Sequence, residues 1–248
     1  MPVLSLPGAT VEAELLVLDK DGVLVDFHHL WRAVTRTRAA ALAAEAGSPG
    51  LAGQLATLLG LAEDGTVAPG GLLATGTRAE ATIAAATGLH QAGLPWAAAR
   101  EAALRAFAAA DALDFEALCR PLPGAVAAVK ALSRAGFKLA IATTDRTEGA
   151  TRFLAQSGLT DCFAAVVGAD RVARSKPAPD MFMLACAEAG VSPGRAVMIG
   201  DGVVDVQMGR EAGAAASIGV LSGVGGAAAL AEWAEIVLPD LGAIAAAI

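Results

Sequence analysis

The 248-residue chain contains no tyrosine, and only 4 % of its residues are aromatic. Its core must therefore be filled by small and branched aliphatic side chains, and alanine alone supplies about a quarter of the residues. Alanine at that density favours closely packed helices. Charge is sparse too: 17 % of residues are charged, the net charge is −7 and the pI is near 5.0. An acidic balance of this kind argues against a nucleic-acid binder, which needs a broad basic face. No apolar run reaches the roughly 18 residues that crossing a bilayer requires. Residues 1–14 lack the basic flank and apolar stretch of a secretory leader. A hydrophobic content of 55 % and a mean hydropathy of +0.57 are the opposite of a disordered composition. The expectation is a soluble cytoplasmic protein, monomer or homodimer, with no membrane or nucleic-acid partner.

Cysteine and histidine are equally scarce, three of each. Cys119, Cys162 and Cys186 are widely spaced, form no CxxC pair and have no histidine ladder nearby. That rules out a conventional zinc motif and argues against a disulfide framework. Each cysteine is read as a small buried hydrophobe.

What is present is an alternation of short apolar runs with helical stretches, the pattern of a parallel α/β sheet. Strands are expected at 15–18, 137–142, 164–167, 196–199, 217–220 and 236–238. A helix over 124–135 is bracketed by Pro123 and Gly136, and one over 180–189 is ended by Gly190. The stretch 30–118 differs. It offers no strand and reads as helices at 30–46, 51–59, 78–86 and 96–118, punctuated by Gly and Pro at 47–50, 69–71 and 93–95. That block is too long for an ordinary crossover. The fold class is therefore α/β, a Rossmann-like parallel sheet core flanked by helices, with an inserted all-helical domain. The expected division is 1–27 with 119–248 for the core, and 28–118 for the insert.

In an open parallel sheet, ligands bind beyond the carboxyl ends of the strands. Asp19 and Asp21 follow the first run, Thr143 and Thr144 the second, and Ser175-Lys176-Pro177 lies beyond the third. Gly200 and Asp201 follow the fourth, with Asp205 four residues on. Continued as extended chain, Asp19 and Asp21 point to one side and Lys20 to the other. Asp201 and Asp205, at i and i+4, share a face on a turn entering a helix. Carboxylates converging in one crevice repel unless a cation sits among them, and oxygen donors without His or Cys favour Mg²⁺. Mg²⁺ usually binds one or two carboxylates together with phosphate oxygens. Lys176 and Thr143 then supply a positive charge and a donor for the same phosphate. Phosphoryl transfer is the natural chemistry.

The strings LVLDKDGVLVD, LAIATTD, SKPAPDMF and VMIGDGVVD, in this order from residue 16 to residue 205, resemble the four motifs of the haloacid dehalogenase superfamily of phosphatases. The insert after the first string is similar in position and length to the C1-type cap of phosphoglycolate phosphatases. The resemblance implies that Asp19 is the nucleophile and a Mg²⁺ ligand. Asp21 would be general acid and then general base, its backbone carbonyl also meeting the metal. Thr143, Thr144 and Lys176 would hold the phosphoryl group, Asp201 would bind Mg²⁺ directly, and Asp205 would be either a further ligand or a group just outside that orients the ligands. A hairpin over 22–27 would form a flap, and 28–118 a cap that excludes water. His28 and Arg78 are candidate substrate contacts, against packing for His28 and a solvated helix start for Arg78. The sequence departs from the pattern at Lys20, where many relatives carry an apolar residue, and at Thr144, where an Asn often stands.

The implied activity is a Mg²⁺-dependent phosphatase acting on a small phosphorylated metabolite, with phosphoglycolate the favoured substrate. Alternatives are a β-phosphoglucomutase-type sugar phosphomutase and a phospho-accepting signalling module. The glycine run 223–226 is read as a tight turn, because it lacks the spacing of a dinucleotide loop.

Overall fold

A computed structural model describes residues 1–68 and 70–248; Pro69, part of one expected turn, lies outside them. The chain forms two compact units, Met1–Asp26 with Cys119–Ile248, and Phe27–Leu118.

The first unit opens with two short strands, β1 (Val3–Leu6) and β2 (Ala9–Glu12), paired antiparallel. No strand is expected there, because Val3–Leu6 and Ala9–Glu12 mix polar residues into each run and form no continuous apolar stretch. Six further strands follow: β3 (Leu15–Leu18), β4 (Lys138–Thr143), β5 (Phe163–Gly168), β6 (Ala196–Gly200), β7 (Ala216–Val220) and β8 (Ile236–Leu238). They form one parallel sheet in the order β5-β4-β3-β6-β7-β8. The period-2 pleat decides which face each side chain meets. Leu16, Leu18, Leu139, Ile141, Val197 and Ile199 enter one buried layer, and Leu15, Val17, Ala140, Ala142, Ala196 and Met198 the other. Both faces are covered, so the strands read as continuous apolar runs.

The second unit lies between β3 and β4 and is helical: α1 (Phe27–Glu45), α2 (Ala52–Leu58), α3 (Leu72–Thr75), α4 (Arg78–Gln91), α5 (Trp96–Asp111) and α6 (Phe115–Leu118). Its core is alanine-rich. Ala99, Ala102, Ala103, Ala106, Phe107 and Ala110 make the i, i+3, i+4, i+7 stripe of α5. Alanine leaves so little side chain that helices close on one another backbone to backbone. The single helix expected at 96–118 is two. The chain breaks after Asp111, and the Asp114 carboxylate accepts the Ala117 N–H at 3.1 Å, capping α6. Helix α4 starts in a capping box, with the Glu80 N–H donating to Thr77 Oγ1 and the Thr77 N–H to the Glu80 carboxylate.

The first unit continues with α7 (Ala125–Arg134), α8 (Thr147–Gln156), α9 (Asp180–Ala189), α10 (Val203–Glu211), α11 (Ala227–Ala231) and α12 (Leu241–Ala245). Helices α7, α8 and α12 bring Val129, Leu132, Phe153, Leu154 and Ile244 to the first buried layer. Helices α9 and α10 bring Met181, Phe182, Ala185 and Met208 to the second. No helix among the described residues is long and apolar enough to cross a membrane. None of the three cysteines is in a disulfide; Cys186 is buried and the other two partly so.

Candidate active site

Strands β4, β3 and β6 lie side by side, with Leu18 level with Ile141 on one flank and Ile199 on the other. Asp19 therefore leaves the sheet beside Thr143 and Asp201, and its N–H still donates to the Ile199 carbonyl at 2.9 Å. This is the junction where successive connections run to opposite halves of the sheet, the usual place for a ligand crevice.

Asp19, Asp201 and Asp205 come together in a buried cluster, each offering a carboxylate oxygen within 4.8 Å of the others. Lys176 reaches in from the loop between β5 and α9, its ammonium 2.5 Å from Asp19 Oδ1 and 2.6 Å from Asp205 Oδ1. One ammonium cannot neutralise three carboxylates. Burial pushes the Asp19 carboxyl up to about 7; Lys176 pulls against that shift, while Asp205 and Asp21 add to it. Burial, then the charges of Asp19 and Asp205, hold Asp201 well above the usual carboxylate range. Lys176 itself, although burial pulls it down, is held above the ordinary lysine range by Asp19 and Asp205. The cluster is short of positive charge, and its donors are all oxygen. It fits a hard divalent cation.

Asp205 has two duties. Its Oδ2 accepts the Gly202 N–H at 2.8 Å, capping α10, while Oδ1 meets Lys176. The cluster of side chains is thus Asp19, Asp201 and Asp205, whereas the resemblance implies Asp19, Asp21 and Asp201, with Asp21 contributing through its backbone. The Asp21 carboxylate is engaged elsewhere: Lys20 Nζ donates to its Oδ1 at 2.8 Å. The expectation that Lys20 lies on the side opposite Asp21 is corrected here, since its ammonium reaches the Asp21 carboxylate. The chain does not stay extended past Leu18 but turns, with the Leu24 and Val25 N–H groups both donating to the Lys20 carbonyl at 2.9 Å. The long stem then brings the ammonium back to Asp21.

The hairpin flap expected at 22–27 is also corrected. Residues 21–25 form a tight turn, Val23, Leu24 and Val25 are buried in the core, and α1 begins at Phe27. Three apolar residues in a row seek the core rather than solvent. Thr143 is buried, its Oγ1 accepting the Asp145 N–H at 3.2 Å, whereas Thr144 is exposed. His28 and Arg78 belong to the helical unit. There His28 Nδ1 accepts the Val67 N–H at 3.2 Å, and Arg78 makes a bidentate pair with Asp111 at 2.7 and 2.5 Å.

The glycine run was read as a bare turn; it is more than that. The Val224 N–H donates to Asp201 Oδ2 at 2.8 Å. A Cβ at Gly223 would sit 1.9 Å from that oxygen, and one at Gly22 (φ +83°) 2.5 Å from the same carboxylate. Ser222 Oγ ties the two loops by donating to the Gly22 carbonyl at 2.6 Å. Two glycines thus let backbone close around Asp201 and fix its orientation. The available signal was a glycine cluster after a strand, but its partner lies more than twenty residues away.

The sequence profile of haloacid dehalogenase-like hydrolases matches residues 13–213, and the chain belongs to that family. It is 39 % identical over 102 residues to a protein of Dickeya dadantii named "Probable phosphatase IndB", covering 41 % of this chain and 44 % of that one. It is 33 % identical over 129 residues to a phosphoglycolate phosphatase of Agrobacterium fabrum, covering 52 % and 55 %. The chain thus spans about half the length of the curated relatives it matches. A hydrolase of this family from Deinococcus radiodurans, solved with bound phosphate and sodium, superimposes with a TM-score of 0.66 at 25 % identity, over 94 % of this chain and 93 % of that one.

Proposed function

We propose that the chain is a Mg²⁺-dependent phosphatase that hydrolyses a small phosphorylated metabolite, phosphoglycolate being the favoured candidate, through a phosphoryl group carried on Asp19. The observation that carries this reading is the Lys176 ammonium held between Asp19 and Asp205 beside Asp201. On this reading Asp19 is the nucleophile, the three carboxylates are the cation-binding set, and Lys176 is the fixed positive charge beside them. Phosphatases among the relatives and the phosphate held by the Deinococcus protein support it.

Asp19 and Asp201 would hold the ion, with the Asp21 carbonyl, and Asp205 would orient Lys176. Bound there, Mg²⁺ supplies charge that draws phosphate oxygens in and keeps Asp19 ionised. An Asp19 oxygen attacks phosphorus, the bond from phosphorus to the ester oxygen breaks, and Asp21 donates its proton to the departing oxygen. Asp21 then takes a proton from water, which attacks the phosphoryl-aspartate and frees inorganic phosphate. Lys176 and Thr143 meet the charge on the phosphoryl oxygens. The insert 28–118 is assigned the part of a cap that selects substrate.

The test is phosphate release across a panel of phosphorylated metabolites, with Mg²⁺ and with EDTA. Turnover with Mg²⁺, lost in EDTA and restored by readdition, is expected. Isomerisation of a sugar phosphate without phosphate release would make it a mutase. A single labelling event without turnover would make it a phospho-acceptor.

A further inference from the structure

Lys20 is a lysine with no expected place in this site, yet it is the largest fully buried side chain among the described residues, 2 % exposed. Its ammonium donates to Asp21 Oδ1 at 2.8 Å and lies 3.4 Å from Asp145 Oδ2. Asp21 follows β3, and Asp145 follows β4, so the ammonium bridges two loops at adjacent strand ends. Both ends are anchored. The Lys20 carbonyl accepts two N–H groups of the turn. At the far end, Asp145 Oδ1 accepts the Arg146 N–H at 2.8 Å and the Asp145 carbonyl accepts the Ala169 N–H at 3.0 Å. A buried ammonium is costly unless it is paired. Here the pairing consumes one oxygen of Asp21 and leaves the other available.

We propose that Lys20 is a positioning residue: braced against Asp145, its ammonium fixes the Asp21 carboxylate so that Oδ2 alone faces the ester oxygen and then the attacking water. The proposal rests on the reading of Asp21 as the proton-transfer group. Without the brace the carboxylate would rotate among several orientations, and both proton transfers would start from a misplaced atom. Misplacement on the order of 1 Å is worth about 100-fold in rate.

The test uses the full chain with Mg²⁺ and two esters, phenyl phosphate and the activated para-nitrophenyl phosphate. Lys20→Met should lower kcat on phenyl phosphate by about 10- to 100-fold. KM should change little, and the loss on the activated ester should be smaller, since its leaving group needs less protonation. In an Asp21→Asn background the same substitution should have no further effect, the signature of two residues acting as one unit. A purely structural lysine would slow both esters equally and multiply with Asp21→Asn, and either result overturns the proposal, as does wild-type kcat in Lys20→Met. If Lys20→Met fails to fold, Asp145→Asn at the exposed end should give a milder loss with the same preference between esters; an equal fold-loss on both would overturn the proposal. A wild type that releases no phosphate removes the phosphatase reading alone. The brace is then read from a crystal structure of Lys20→Met or Asp145→Asn, where a rotated Asp21 carboxylate supports it and an unmoved one overturns it.

Discussion

In the α/β unit the buried ionisable groups are held against one another: Lys176 between Asp19 and Asp205, Lys20 between Asp21 and Asp145. In the helical unit the buried cation is treated differently. Arg38, 6 % exposed, lies with its guanidinium carbon 4.3 Å from the Phe107 ring centre and 5.6 Å from that of Trp31. Among the described residues its Nε has no hydrogen-bond partner, and neither does the buried Thr35 hydroxyl. Aromatic faces give such a cation about 0.5–2 kcal/mol and ask little of geometry. Charge against charge in a buried cluster generally loses stability relative to apolar packing. The first arrangement is therefore explained by chemistry and the second by packing. Among the described residues, the carboxyls that burial raises, Asp19 and Asp201, both stand at strand ends.

The sharpest way to break that comparison is to remove charge from the cluster. Asp19→Asn should abolish turnover, a loss of at least about 10⁴-fold because the attacking oxygen is gone. Its melting temperature should stay equal or rise, because the ionised carboxyl is disfavoured in the fold. Phosphate release and a thermal melt on one preparation check both. A clear fall in melting temperature would mean that the cluster serves stability after all. The opposite dissociation is expected in the helical unit. Phe107→Ala removes a buried ring from the alanine core and the face under Arg38, so it should cost about 3–5 kcal/mol. Denaturant unfolding measures the loss.

The same contrast shows what could be read from sequence. Apolar runs such as Leu15–Leu18 carry their own boundary, because the polar residue after each run is the strand end. The sheet, the carboxylates at its edge and the helical nature of 30–118 were legible for that reason. Four features were not. The β1–β2 pair carries polar residues in both strands, so neither reads as an apolar run. The break after Asp111 needed the Asp114 cap to be weighed against a strong run of alanines. Lys20 and the Gly223 loop depend on where the backbone turns and which distant strand end lies alongside, and neither is written in local spacing. Strand ends can be found one run at a time; what closes around them is a property of the assembled sheet.

A smaller effect sharpens the role of that loop. Gly223→Ala would force a Cβ to within 1.9 Å of the Asp201 carboxylate, so the loop or the carboxylate must move. Orienting contacts of this kind are typically worth about 10–100-fold in metal affinity. Mg²⁺ titration of activity should show that weakening, with kcat at saturating Mg²⁺ affected less.

The cluster should also link cation binding to pH. The Asp19 carboxyl stands at about 7 in the fold, far above the ordinary carboxyl range of an unfolded chain. Between those values the folded state holds the proton more tightly. Without a cation, this group's contribution to stability is complete below about pH 4 and is lost as pH climbs through 7. A bound cation favours the ionised form and reverses the trend. Mg²⁺ should then raise the melting temperature more at pH 8 than at pH 5, by about 2–4 °C for each kcal/mol of binding in a chain of this size. An equal shift at both pH values would detach Asp19 from the cation site.

The mildest expectation concerns Arg78 and Asp111, a bidentate ion pair of the helical unit. Their side chains are 53 % and 47 % exposed, and the two contacts are short and bidentate. The Asp111 carboxyl is held below its usual range by the Arg78 hydrogen bonds, and Arg78 is raised in turn. Water screens a pair this open, so Asp111→Asn should cost no more than about 1 kcal/mol. Most of that loss should disappear in molar salt. Arg78→Met should cost a little more, because its guanidinium carbon also lies 5.7 Å from the Phe107 ring centre, on the residue that anchors Arg38. If Arg78 instead reads substrate, Arg78→Met will raise KM for the preferred phosphoester while Asp111→Asn, which frees the same guanidinium, leaves KM unchanged or lowers it. KM values in both variants equal to that of the unmodified chain would confine this pair to a surface structural role.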